Sequence, residues 1–175
     1  VNVKLVADNP FVLSAYSEVA RQADRVIDVL IECDTGQKRA GVETPDEVLQ
    51  LVRLLKQDVG LNFAGLMFYP PINGWHDTQI FLDKTLRGLN ELKALPAIIS
   101  TGGTPNFVNI GKLRGATEHR AGTCIFNDMM MVNDGFSTLN DCALTIFTSV
   151  VSRAGAERGI LDAGSKSLTY DTGDL

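Results

Sequence analysis

Short apolar runs alternate with stretches of helical period along most of the chain. Val3 to Val6 is a largely apolar run that predicts a strand, and Asn9-Pro10 punctuates it. Over Phe11 to Ala23, residues Val12, Ala15, Tyr16, Val19 and Ala20 recur at helical spacing, with Pro10 suited to the first turn. Val26 to Cys33 is nearly continuous in apolar residues and stops at Asp34-Thr35-Gly36, the pattern of a buried parallel strand ending in a loop. Thr44-Pro45-Asp46-Glu47 reads as a helix start with a capping box: Thr44 is the N-cap, Pro45 the first helical residue and Glu47 the third. That helix is predicted to run to about Gln57. Leu61 to Phe68 follows as a strand, Thr78 to Leu95 as a helix stopped by Pro96, and Ala97 to Ser100 as a strand. Strand and helix alternating at about 30 residues per unit predict parallel strands joined by right-handed helical crossovers.

The rhythm then breaks. A strand-like stretch around Thr117-Glu118 leads to a short helix near Ile125 to Met131 and a Gly/Asn/Asp loop from Asn133 to Asp141. Leu144 to Val151 and Ile160 to Asp162 have no helix between them and predict antiparallel β structure. The expected division is an α/β region over residues 1–140 and the start of a β region over residues 141–175.

Composition narrows the function classes. The chain has 175 residues, 45% apolar and 21% charged, with a net charge of −5, which excludes disordered, collagen-like and coiled-coil readings. The acidic balance and the lack of a Lys/Arg cluster exclude a nucleic-acid backbone as the main partner. The best apolar run, Cys142 to Val151, is interrupted by Thr145, Thr148 and Ser149 and falls short of the roughly 18 to 20 residues that span a bilayer, so no membrane partner is expected. Three widely spaced cysteines, Cys33, Cys124 and Cys142, favour free thiols and a cytoplasmic setting over a disulfide framework. The chain begins at Val1 and carries no signal or lipidation motif, and is expected to be a piece of something longer.

In parallel α/β folds, ligand groups gather in loops at the carboxyl ends of strands, and four such loops stand out. The first, Glu32 to Val42, has two glycines and Arg39, whose fork of donors suits an oxyanion; a solvent-facing loop Arg is the plainer alternative. The second, Met67-Phe68-Tyr69-Pro70-Pro71, ends a strand on an aromatic that could equally serve packing. The third, Ser100-Thr101-Gly102-Gly103-Thr104-Pro105, can present several backbone N–H groups to a phosphate, or be a simple Gly/Pro turn. It matches neither a Walker sequence nor GxGxxG. The fourth, Glu118-His119-Arg120-Ala121-Gly122-Thr123, adds a second Gly/Thr pair and a cation. Two such loops at successive strand ends make a better phosphate cradle than either alone.

Other candidates are weaker. His76 with Asp77, and His119 with Cys124, lack metal-ligand spacing, and Met129-Met130-Met131 reads as packing. A Ser nucleophile elbow is absent.

The four loops, in this order, resemble the D-threonine aldolase and D-serine dehydratase family, pyridoxal-phosphate enzymes of the alanine-racemase type. The resemblance rests on Asp34-Thr-Gly with Arg39-Ala-Gly-Val, on Phe63-Ala-Gly-Leu, and on Ser100-Thr-Gly-Gly-Thr-Pro. It continues through Glu118-His-Arg-Ala-Gly-Thr with Phe126-Asn-Asp, Val151-Ser-Arg and Asp162-Ala-Gly-Ser-Lys, so that it covers nearly the whole chain. It implies a (β/α)8 TIM-type barrel that binds pyridoxal 5'-phosphate, followed by a β domain. Arg39 would hold the cofactor's phenolic oxygen, Tyr69 would lie against or near its ring, and Arg120 would approach the ring nitrogen. Thr101, Gly102, Gly103 and Thr104, with Gly122 and Thr123, would receive the phosphate.

The resemblance further implies a lyase acting on a D-3-hydroxy amino acid, by retro-aldol cleavage or by dehydration; a homodimer is expected, since an open partial barrel would expose apolar strand edges. The family's Schiff-base lysine matches a position upstream of Val1. Its divalent-metal ligands match positions beyond Leu175, so no metal ligand is expected in this chain. Lys166 belongs to a different motif and is not assigned the lysine's role. A complete barrel takes about 250 residues, and only about five strands precede the β region, so part of a barrel, inactive by itself, is expected. The alternatives are an amino-acid racemase-like enzyme of the same cofactor class, and a non-catalytic module that binds pyridoxal phosphate or phosphate.

Overall fold

In the computed structural model, which describes residues 3–164 and Ser167, the chain forms two compact units, Val1–Gly122 and Thr123–Leu175. The first unit contains five strands, β1 (Lys4–Ala7), β2 (Ile27–Cys33), β3 (Leu61–Phe68), β4 (Ile98–Gly102) and β5 (Glu118–Arg120). Three helices join the first four: α1 (Pro10–Gln22), α2 (Pro45–Gln57) and α3 (Trp75–Glu91). Every neighbouring strand pair is parallel and the order is β1-β2-β3-β4-β5. A sheet that never reverses its order is the arrangement of one arc of a (β/α)8 barrel, and the α/β class expected from the alternating pattern is the class observed.

Capping chemistry sets the helix starts. The Asn9 side chain accepts from the Val12 N–H at 3.0 Å and opens α1, and Thr44 and Glu47 form the capping box of α2. Helix α3 begins at Trp75, three residues before its predicted start, with Gly74 ahead of it. It ends at Glu91 rather than Leu95, because Lys93 takes a positive φ of 52°.

The core lies between the helices and one face of the sheet. Val48, Leu51, Val52 and Leu55 of α2 are buried at i, i+3, i+4 and i+7 spacing. They pack in one cluster with Val29, Ile31, Leu66, Phe68 and Ile99 of the sheet and Phe81, Leu82 and Leu89 of α3. Phe68 and Phe81 meet edge to face, with centroids 6.0 Å apart. The opposite face of the sheet differs in character: Glu32, Met67, Ser100 and Glu118 stand in register across β2 to β5. One face therefore holds the fold together, and the other carries polar groups up to the strand ends.

The second unit opens with a single 3₁₀ turn, Thr123–Ile125, followed by a short helix α4 (Met129–Asn133) and a further 3₁₀ turn, Leu139–Asp141. The helix predicted over Ile125 to Met131 thus divides into a turn and a later helix, where Asp128 caps α4 by accepting from the Met131 N–H. Strands β6 (Val150–Ser152) and β7 (Ile160–Leu161) pair antiparallel as predicted, β6 covering only the end of its predicted stretch and running one residue past it. Lys166 lies outside the described residues. Among the described residues, no helix is long and apolar enough to cross a membrane.

Candidate functional site

Parallel strands end on the same edge of a sheet, so the loops after β2, β3, β4 and β5 emerge side by side. The loop after β2 is folded back on its own strand. Val42 N–H donates to the Glu32 carbonyl and Asp34 N–H to the Val42 carbonyl, both at 2.9 Å, while the Asp34 carboxylate accepts from the N–H groups of Gly36 and Gln37. Gly41 N–H donates to Asp8 at the end of β1. This leaves Arg39 exposed near the tip, with its guanidinium carbon 5.6 Å from the centroid of the Tyr69 ring.

Tyr69, the first residue after β3, lies against the two glycines that end β4. A Cβ on Gly103 would stand 3.1 Å from the Tyr69 ring, and the residue takes a φ of +103°, so both space and backbone demand glycine there. A Cβ on Gly102 would come within 2.9 Å of the Arg120 guanidinium and 3.4 Å of the Tyr69 ring. Arg120 reaches back along the polar face of the sheet and donates to the Ser100 hydroxyl and to the Phe68 carbonyl. Partial burial pulls its pKa below the ordinary arginine value, opposed by Glu118, Glu32 and Tyr69. Arg39, Tyr69, Gly102, Gly103 and Arg120 thus form one contiguous constellation from four successive loops.

The glycine turn is held from behind. The Gly103 N–H continues the sheet ladder by donating to the Arg120 carbonyl at 3.0 Å, and is therefore engaged within the protein. Thr101 is fully buried on the helix side of the sheet, in register with His119; its hydroxyl lies 2.7 Å from His119 Nδ1 and 3.3 Å from the Glu118 carbonyl. His119 Nε2 lies 3.0 Å from the Gly103 carbonyl, which serves as its acceptor. His119 is thus a bracket for the turn rather than half of a metal pair. Thr104 begins a long 3₁₀ segment, Thr104–Lys112, and is itself buried. Gly122 is exposed, with nothing among the described residues within 4 Å of where a Cβ would lie. Thr123 is exposed and is the first residue of the second unit, where its carbonyl accepts from Phe126 and Asn127.

Sequence reasoning missed Asn106, which sits in that 3₁₀ segment and ties two of the loops together. Its signal is slight: a polar residue right after the Gly-Gly-Thr-Pro that reads as a phosphate loop. His76 is exposed in the first turn of α3, and among the described residues no group of three His, Cys, Asp or Glu side chains could hold a metal ion. Burial, with Glu32 nearby, pushes the Cys33 thiol well above its ordinary pKa, so it is no candidate nucleophile.

The alanine racemase N-terminal domain model matches residues 1–129. The chain belongs to that family. Among curated relatives, D-threo-3-hydroxyaspartate dehydratase of Delftia sp. (strain HT23) is 29% identical over 186 residues, covering 98% of this chain and 49% of the relative. D-threonine aldolase of Arthrobacter sp. is 29% identical over 184 residues, covering 98% of this chain and 48% of that protein. The solved structure of the Delftia sp. HT23 dehydratase superposes with a TM-score of 0.82 at 24% identity, over 97% of this chain and 48% of that one. This alanine racemase-type chain therefore shares the fold of the dehydratase and spans about half the length of the curated relatives it matches.

Proposed function

We propose that this chain is the cofactor-holding part of a pyridoxal-phosphate-dependent lyase acting on D-3-hydroxy amino acids. The observation that carries the reading is the convergence of Arg39, Tyr69, Gly102-Gly103 and Arg120 from four consecutive strand ends. The donor set fits the group: two guanidiniums suit a flat anionic ring, the Tyr69 ring offers a face, and the missing Cβ atoms at Gly102 and Gly103 let the Arg120 guanidinium and the Tyr69 ring close in on the turn. Relatives named as D-threo-3-hydroxyaspartate dehydratase and D-threonine aldolase support the substrate class.

Arg39 would hold the phenolic oxygen, Tyr69 would pack on the ring, and Arg120 would face the ring nitrogen. The phosphate would lie toward the open Gly122, because the Thr101 hydroxyl and the Gly103 N–H are already engaged; a phosphate contact at Thr104 is a proposal from the sequence resemblance. For Thr123, a phosphate contact is a proposal from the sequence resemblance alone. When bound, pyridoxal phosphate supplies an electron sink for the bond broken at the substrate α-carbon; the protein's part is to hold and orient it. The Schiff-base lysine, the divalent metal and a homodimeric state belong to the proposal for the whole protein, as does a cytoplasmic setting.

The reading is tested by adding pyridoxal phosphate to the full-length protein and recording the visible spectrum before and after borohydride. A saturable visible band that disappears on reduction, with turnover of D-threonine, D-serine or a D-3-hydroxyaspartate but not L-threonine, is expected. A spectrum equal to that of the free cofactor throughout would remove it. Racemisation without cleavage would move the assignment to the racemase-like alternative.

A further inference from the structure

Asn106 is 2% exposed and uses one amide group to bridge two different loops: Nδ2 donates to the Pro70 carbonyl at 2.7 Å and to the Gly102 carbonyl at 3.3 Å. Its own N–H donates to the Gly103 carbonyl at 3.0 Å. The amide orientation is fixed by this arrangement, because exchanging the oxygen and nitrogen would set Oδ1 against two carbonyl oxygens. Among the described residues, Oδ1 is left buried with no hydrogen-bond partner. A buried acceptor without a donor is a standing cost that an apolar residue of similar volume would avoid. Residues that break such a rule are found where function over-determines the position.

The carbonyls that Asn106 grips belong to the residue after Tyr69 and to the glycine whose missing side chain makes room for Arg120 and the Tyr69 ring. Among the described residues, no hydrogen bond joins Asn106 to either guanidinium. We propose that Asn106 is a positioning residue that fixes the Tyr69 ring against the Gly102-Gly103 turn, and so sets the floor on which pyridoxal phosphate would rest. The inference rests on the cofactor reading above.

The test is a double-mutant cycle on the full-length protein, read as the dissociation constant for pyridoxal phosphate rather than as turnover. Asn106→Leu keeps the volume and Asn106→Asp keeps the shape, but neither can donate to both carbonyls. Each is expected to weaken binding about tenfold or more in the wild-type background and by less than about threefold in a Tyr69→Leu background, because the ring through which Asn106 acts is then gone. Equal losses in both backgrounds would mark a merely structural role and overturn the inference, as would wild-type affinity in the single variants. Circular dichroism and thermal melting accompany each protein. Should Asn106→Leu lose its cooperative melt, Asn106→Asp or the smaller Asn106→Thr decides by the same comparison. A wild-type protein with no saturable binding removes the cofactor reading and this inference together, whereas unchanged variants of a protein that does bind remove this inference alone.

Discussion

The guanidinium carbon of Arg39 sits 5.6 Å above the Tyr69 ring, although the two residues follow different strands and are thirty positions apart in sequence. Arg39 is exposed, so in the free protein this contact is worth no more than about 1 kcal/mol. Arg39→Ala is therefore expected to leave the urea-unfolding free energy within about 1 kcal/mol of wild type while raising the pyridoxal phosphate dissociation constant by about tenfold. Equal small effects on stability and binding would show that the arginine does no more than cover the ring.

Gly103 and Gly122 should respond to alanine in opposite ways. At Gly103 the φ of +103° and a Cβ only 3.1 Å from the Tyr69 ring predict a loss of about 1–3 kcal/mol, with the ring displaced. At Gly122 a methyl group meets nothing among the described residues within 4 Å, so Gly122→Ala should stay within about 0.5 kcal/mol. Chemical denaturation of both variants checks the contrast; similar destabilisation at the two positions would contradict the geometry.

Asp58 gives the fold a defined response to acid. The Ser17 hydroxyl donates to its carboxylate at 2.5 Å and the Gly60 N–H at 2.8 Å, which together hold its pKa below the ordinary aspartate value. A depressed folded-state pKa stabilises the native chain above the unfolded-state pKa of about 4, and that contribution is lost as pH falls through the folded value. Ser17→Ala should accordingly be destabilised relative to wild type at pH 7, with the gap narrowing below about pH 4. Urea denaturation at pH 3 and pH 7 measures both gaps, and a gap that widens in acid would reverse the assignment.

The three thiols should separate by accessibility. Cys33 is 2% exposed and its pKa is raised by burial, whereas Cys124 and Cys142 are partly exposed. A thiol reagent at pH 8 is expected to modify Cys124 and Cys142 in the native protein and Cys33 only on unfolding. Peptide mapping after brief labelling identifies the modified positions, and early labelling of Cys33 would mean that β2 opens locally.

Most of the architecture was legible because it is written in local chemistry. The capping box at Thr44 and Glu47, the mostly apolar run from Leu61 to Phe68 and the stop at Cys33 each specify their element without reference to the rest of the chain. The ends of α3 were not, since Trp75 joins the helix without a capping side chain and Lys93 leaves it through a positive φ that no residue pattern announces. At the site, Arg39, Tyr69 and the glycine pair could be picked out as strand-end residues. What sequence could not supply was the second side of each residue: that Thr101 and His119 face the helices rather than the rim, and that the Gly103 N–H is spent on Arg120. Those depend on strand register, which one extra residue in β3, where Val29 pairs with Phe63 but Leu30 with Gly65, is enough to shift.

Because the five strands succeed one another around the arc in the order they occur in the chain, distance along the polypeptide translates into angle around the rim. Each loop governs one sector of whatever rests there. A lengthened or exchanged segment after any single strand would thus retune one edge of the proposed site first, and reach the next only through the contacts that tie adjacent loops, Arg39 with Tyr69 and Asn106 with Pro70 and Gly102.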